Sequence, residues 1–114
     1  GGLAILSAAD GSLVGYCLLK PFGERQAYRL SAEVSVYLHP DWRGRGIGRA
    51  AMERLEQKAR DAGFHALVAA VCAENTASLR LMESLGYEPV GRLREIGHKF
   101  GRYLDLVDWE KILD

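Results

Sequence analysis

The stretch that most constrains this chain is Leu38-His39-Pro40-Asp41-Trp42 followed by Arg43-Gly44-Arg45-Gly46-Ile47-Gly48. A strand stopped by proline runs into a glycine-rich loop, and the loop runs into a helix. Upstream, Ala32, Val34, Val36 and Leu38 alternate with Glu33, Ser35 and Tyr37, the period of a half-buried strand. Downstream, Ile47, Ala51, Leu55 and Ala59 recur every fourth residue up to Gly63, which predicts a helix over 46–62. The amides at a helix start have no partner within the helix and carry the positive end of its dipole. Glycines let an anion come close to such amides. Arg43 and Arg45 add the side chain best matched to phosphate oxygens. A pyrophosphate is the natural guest; the alternative is a glycine-rich turn with solvated arginines.

Two other phosphate loops fail here. A P-loop needs Gly-Lys-Ser/Thr, whereas Gly48 precedes Arg49-Ala50. A dinucleotide fingerprint needs G-x-G-x-x-G, whereas this loop reads G-x-G-x-G.

Around this unit the pattern is β-β-β-α-β-α-β-β. Leu3 to Ala8 and Leu13 to Lys20 flank the hairpin signal Asp10-Gly11. Ala66 to Val71 is a continuous apolar run, expected to be a strand buried on both faces. Asn75 is the expected N-cap of a helix over 76–85, stopped by Gly86. Tyr87 to Leu93 and Tyr103 to Ile112 are the last strands, with a long turn expected between them. The crossover helix makes the strands at 32–39 and 66–71 parallel neighbours, and the hairpins make the rest antiparallel. The fold class is α/β (α+β), a mixed and mostly antiparallel sheet with helices packed on it.

The 114 residues suit one domain. The formal net charge of zero argues against a general nucleic-acid binder. No apolar run approaches the ~20 residues that span a bilayer, so no membrane role is expected. Gly1-Gly2-Leu3 has no basic n-region and reads as a cut edge. Cys17 and Cys72 are expected as buried free thiols, in keeping with a cytoplasmic protein. No Cys/His spacing fits a metal, and His39, His65 and His98 are assigned no ligand role.

Read as R-x-x-G-x-G after a proline-ended strand, the loop resembles the acyl-CoA signature of the GNAT superfamily of N-acetyltransferases. Asn75-Thr76-Ala77-Ser78-Leu79-Arg80-Leu81 through Gly86-Tyr87 resembles that superfamily's second signature, N-x-x-S/A-x-x-L-x-x-x-x-G-Y/F. A closer likeness is to the phosphinothricin and methionine-sulfone N-acetyltransferase branch. It is carried by Arg25-Gln26-Ala27-Tyr28, by the run from Ala32 to Pro40, by Gly91-Arg92-Leu93, by Gly97-His98-Lys99, and by Asp105 and Trp109.

The resemblance implies acetyl-CoA as co-substrate, without a metal, lying in a V-shaped opening between the strands at 32–39 and 66–71. Main-chain groups at Val36, Tyr37 and Leu38 would pair with the pantetheine arm. The loop residues Arg43, Gly44, Arg45, Gly46, Ile47 and Gly48 would hold the pyrophosphate, and Asn75 and Ser78 would complete the cofactor site. The acceptor would be a small-molecule primary amine, an L-amino acid or a phosphinothricin-like analogue. A peptide N-terminus and a truncated domain that only binds CoA are the alternatives.

An ammonium cannot attack a thioester, and a carboxylate near the cleft could take its proton, directly or through water. The resemblance gives that role to Glu33; the alternative is a solvated strand residue or half of an ion pair. A strand N–H near Val36 is a candidate oxyanion donor. Arg25 and Tyr28 either hold the acceptor carboxylate or belong to a surface loop. Tyr37 either orients substrate or covers the core, and Trp42 and Trp109 are read as packing anchors. Arg80 is read as a solvated charge.

Three departures stand out. The strand and two helices that usually precede the first hairpin are absent, so the domain is expected to be truncated, with exposed edges that favour a homodimer. Met82 occupies the frequent tyrosine position and cannot give a proton. Phe100 and Leu104 stand where the branch tends to carry histidine.

Overall fold

The computed structural model describes residues 2–7, 10–11 and 13–113. Six strands form one sheet in the order β1-β2-β3-β4-β6-β5. Strands β1 (Gly2–Ser7), β2 (Leu13–Pro21) and β3 (Ser31–Leu38) pair antiparallel in sequence. The helix α1 (Ile47–Asp61) then crosses to β4 (Ala66–Cys72), which runs parallel to β3. The helix α2 (Thr76–Ser84) leads to β5 (Glu88–Lys99), and β6 (Arg102–Ile112) returns between β4 and β5. This is the expected element order, with the expected parallel pair. Ala8, the last residue of the first expected strand, lies outside the described residues.

The core lies between one sheet face and both helices. Met52, Leu55 and Ala59 of α1, Met82 of α2 and Leu85 at its C-cap pack on Val34, Leu67 and Trp109. The inward stripe of α1 is Gly48, Ala51, Met52, Leu55, Glu56 and Ala59; Ile47 is only half-buried.

Two expectations are corrected. Strand β4 is not buried on both faces: Leu67, Ala69 and Val71 are buried, whereas Ala70 is exposed. On its second face Ala66, Val68 and Cys72 are half-buried, and Val68 and Ala70 line a cavity.

The segment between Leu93 and Tyr103 is not a long turn. Strands β5 and β6 run on to Lys99 and Arg102, joined by Phe100-Gly101 at φ 53° and 75°. Two successive left-handed residues form the tight hairpin link whose twist matches its strands. Gly97, which suggested the turn, instead closes a bulge. The register steps from Leu93↔Leu106 to Gly97↔Leu104. Glu95 takes φ 55° there, and its N–H donates to Asp105 Oδ1 at 2.7 Å.

Candidate functional site

Strand β3 ends where His39 N–H donates to the Val14 carbonyl at 2.7 Å. Pro40–Trp42 form a single 3-10 turn. Gly44 and Gly46 follow at φ 75° and 77°, a left-handed conformation that costs other residues a Cβ clash. The chain is thereby folded back so that α1 begins under the loop. No side chain caps α1 at Gly46, and no acidic residue stands in its first turn. Its leading amides keep their positive character toward whatever lies before them.

What lies before them is a cavity of about 270 Å³ between this loop, the end of β3 and the start of α2. Val36, Tyr37 and Leu38 line it from the strand, and Arg43, Gly44, Gly46 and Gly48 from the loop. Asn75 and Ser78 close it from α2. Asn75 is the expected N-cap: its Oδ1 accepts from Ser78 N–H at 3.1 Å, which fixes the side chain at the rim. Gly48 sits where a Cβ would meet Leu81 and Leu38 side chains at 3.4 and 3.5 Å, so glycine lets helix, strand and second helix converge.

Two expected loop residues stand apart. The Arg45 guanidinium lies 4.7 Å from the centroid of the Trp42 ring and does not line the cavity. Ile47 is also absent from the wall. Arg49, which the sequence reading passed over, is in the wall. It is held by Glu53 at 3.0 Å and by the Ser84 hydroxyl at 3.0 Å. Its signal was its place directly after the last glycine of the loop.

Strands β3 and β4 pair only at Ser31↔Ala66, Ala32↔Leu67 and Glu33↔Val68. Beyond Glu33 they part. The bonds Phe22 N–H to Ser31 O and His39 N–H to Val14 O fix the alternation along β3. Glu33, Ser35 and Tyr37 therefore exchange main-chain bonds with β2, while Val34, Val36 and Leu38 turn theirs toward the gap. Of the three expected pantetheine partners, Val36 and Leu38 present backbone groups to the opening. Tyr37 presents its backbone to Tyr16, and its ring stacks on the Tyr16 ring at 5.5 Å. Tyr37 is 43% exposed, so it does not cover the core.

The gap holds a second cavity of about 130 Å³, walled in part by Cys72 and Met82. It shares Val36, Asn75 and Ser78 with the loop cavity. Met82 is buried, and neither cysteine forms a disulfide, Cys17 being buried and Cys72 half-buried.

A third cavity, of about 280 Å³, opens on the sheet face away from the helices and shares Val34, Ser35 and Ala70 with the second. Glu33 lines it, with Lys20 Nζ 3.2 Å from Glu33 Oε2. Phe22 also lines it, and the Tyr28 ring meets Phe22 edge-on at 6.0 Å. Tyr28 is thus one contact away from this cavity. Arg25 is exposed ahead of the 3-10 turn Gln26–Tyr28 and is not in the wall. Lys20 and Asp108 were missed from the sequence, although Asp108 interrupts the apolar run Leu106-Val107 before Trp109. Among the described residues no His, Cys, Asp or Glu group could hold a metal ion, and no helix is long and apolar enough to cross a membrane.

Comparison with known proteins agrees with this geometry. The chain is 39% identical over 110 residues to an L-amino acid N-acyltransferase, MnaT, of Escherichia coli strain K12, covering 96% of this chain and 64% of that protein. It is 36% identical over 111 residues to a phosphinothricin N-acetyltransferase of Alcaligenes faecalis, covering 96% and 56%. It therefore spans less than two thirds of the length of these relatives. The crystal structure of a GNAT superfamily phosphinothricin acetyltransferase from Sinorhizobium meliloti, in complex with acetyl-CoA, superposes with a TM-score of 0.90 at 32% identity. That match covers 97% of this chain and 60% of the other. The model of the acetyltransferase (GNAT) family matches residues 2–87; the chain belongs to the GNAT acetyltransferase family.

Proposed function

We propose that the chain transfers an acetyl group from acetyl-CoA to the primary amine of a small L-amino acid or of a phosphinothricin- or methionine-sulfone-like analogue. One observation carries the reading. Three cavities follow one another through the gap between β3 and β4, from the uncapped start of α1 to the carboxylate of Glu33. A long molecule with a diphosphate at one end and a thioester at the other fits such a passage. The names of the relatives supply the acceptor class.

In this reading the α1 amides, the loop glycines and Arg43 neutralise the diphosphate. The Val36 carbonyl and the Leu38 N–H hold the pantetheine amides as a strand would. The acceptor enters from the opposite face, beside Glu33. The amine nitrogen attacks the thioester carbonyl carbon, and the carboxylate of Glu33 takes the proton, directly or through one water. The tetrahedral oxyanion is stabilised by the Val36 N–H, and its collapse expels the CoA sulfur as a thiolate. Met82 in the gap cannot protonate that sulfur, so the leaving anion takes its proton from water.

Acetyl-CoA turnover with a panel of amino acids, followed by thiol release, tests the reading. Turnover on free amino acids supports it. Turnover on peptides alone, or CoA binding without any turnover, overturns it.

A further inference from the structure

The acceptor-side cavity has three charged groups in its wall: Lys20, Glu33 and Asp108. Lys20 and Glu33 neutralise one another at 3.2 Å. Asp108 sits two strands away on β6, paired with Ala70 of β4. Alternation along β6 puts Trp109 in the core and Asp108 on the open face. Its side chain makes no hydrogen bond or ion pair with the described residues, whereas Asp105 on the same strand accepts from both Arg92 and the Glu95 amide. The same wall joins Leu18, Phe22, Val34, Val68 and Ala70 to the polar Lys20, Glu33, Ser35 and Asp108.

Asp108 is a half-buried carboxylate without a partner in that wall, and a cation is the group that completes such a site. Ala70, its neighbour on β4, is shared with the gap cavity, so the carboxylate flanks the point where the passage opens. Glu33 flanks the same point from β3. The two carboxylates have different electrostatic settings: one is paired with an ammonium of the protein, and the other is left for an ammonium from outside.

We propose that Asp108 is the acceptor's binding residue, a carboxylate that captures the amine in its ammonium form at the mouth of the gap, before Glu33 removes the proton. The favoured acceptor is then an aliphatic ammonium on a compact apolar body. This assignment rests on the acetyl-transfer reading above.

The test is steady-state kinetics of the full chain with the best amino acid acceptor of the panel, on wild type, Asp108→Asn and Asp108→Glu. A lost charge-assisted contact predicts a rise of about tenfold or more in acceptor KM for Asp108→Asn, with kcat within about threefold. The KM for acetyl-CoA and the CoA affinity by calorimetry stay unchanged, and Asp108→Glu restores much of the acceptor KM. Should Asp108→Asn fold poorly, as shown by its melting curve and CoA affinity, Asp108→Ser takes its place. An acceptor KM within twofold of wild type overturns the assignment and leaves the acetyl-transfer reading standing, as does a loss of kcat with KM unchanged. Wild type that turns over no amine overturns both.

Discussion

Lys20 and Glu33 face each other across the β2–β3 ladder, with Nζ 3.2 Å from Oε2. Both side chains are about half exposed, at 54% and 42%. An ion pair at that exposure is worth ~0–1 kcal/mol to the fold, so its removal is a clean probe of chemistry. Glu33→Gln is expected to lower turnover by roughly 10²–10⁴-fold, the usual range for a lost general base. CoA affinity by calorimetry and the melting temperature should stay near wild type. An unchanged rate of thiol release would remove Glu33 from the mechanism.

The two loop arginines separate in the same way. Arg43 is in the wall of the loop cavity, and its Nε donates to the Leu38 carbonyl at 3.4 Å. Arg45 lies over Trp42 instead. Arg43→Ala should therefore weaken CoA binding by about tenfold or more, as expected for a charge-assisted phosphate contact. Arg45→Ala should change CoA affinity far less and cost the fold about 0.5–1 kcal/mol of cation–π contact. Calorimetry on the two variants decides, and the reverse order of affinities would refute the placement.

Much of this was readable from the chain itself, for identifiable reasons. A proline-ended alternating strand, three glycines and a four-residue helical repeat fix β3, the loop and α1 because each signal is local. Asn75 was readable as a cap because capping depends on the residues immediately after it. The side chains that wall the third cavity were not readable in this way. Lys20 meets Glu33 only through the β2–β3 register, and Asp108 reaches the same space only through two further strand pairings. The burial of β4 was misjudged because a small apolar run looks alike whether its second face meets a layer or a cavity. Gly97 suggested a turn because the same residue serves turns and bulges alike.

Among the described residues the interior has one charged pair. Glu56, on α1, is buried, and its Oε2 lies 3.0 Å from Lys111 Nζ on β6. The same ammonium donates to the Leu85 carbonyl at the end of α2, at 2.6 Å. One lysine thus ties both helices to the sheet. Burial, and then the negative charge of Glu56, hold the neighbouring Tyr87 hydroxyl well above its usual pKa. Lys111→Met leaves a buried carboxylate without its cation, which should cost about 3–5 kcal/mol. Lys111→Met with Glu56→Leu should recover most of that loss, since the cost lies in the orphaned charge. Denaturant unfolding of the single and double variants measures it. Equal losses in both would show that packing, rather than charge, sets the energy.

Asp105 anchors the β5 bulge through two different donors, the Glu95 N–H at 2.7 Å and the Arg92 guanidinium at 2.8 Å. Both bonds favour the ionised carboxylate. The Glu95 amide first, and the Arg92 side chain second, hold its pKa below the usual aspartate value. A carboxyl whose pKa is lower folded than unfolded stabilises the fold fully above its unfolded value of ~3.9. That contribution fades as pH falls from there through the folded pKa, where both states take up the proton. Asp105→Asn should therefore lower the melting temperature at pH 7, and the gap to wild type should narrow as pH drops toward 2.5. The amide also keeps only one acceptor oxygen for the two donors, so the hold on Glu95 at φ 55° weakens and the hairpin should exchange amide hydrogens faster. Melting curves for both proteins across that pH range, with hydrogen exchange at Glu95, decide the point. A melting difference that stays constant with pH would mean that the carboxylate charge does not hold the bulge.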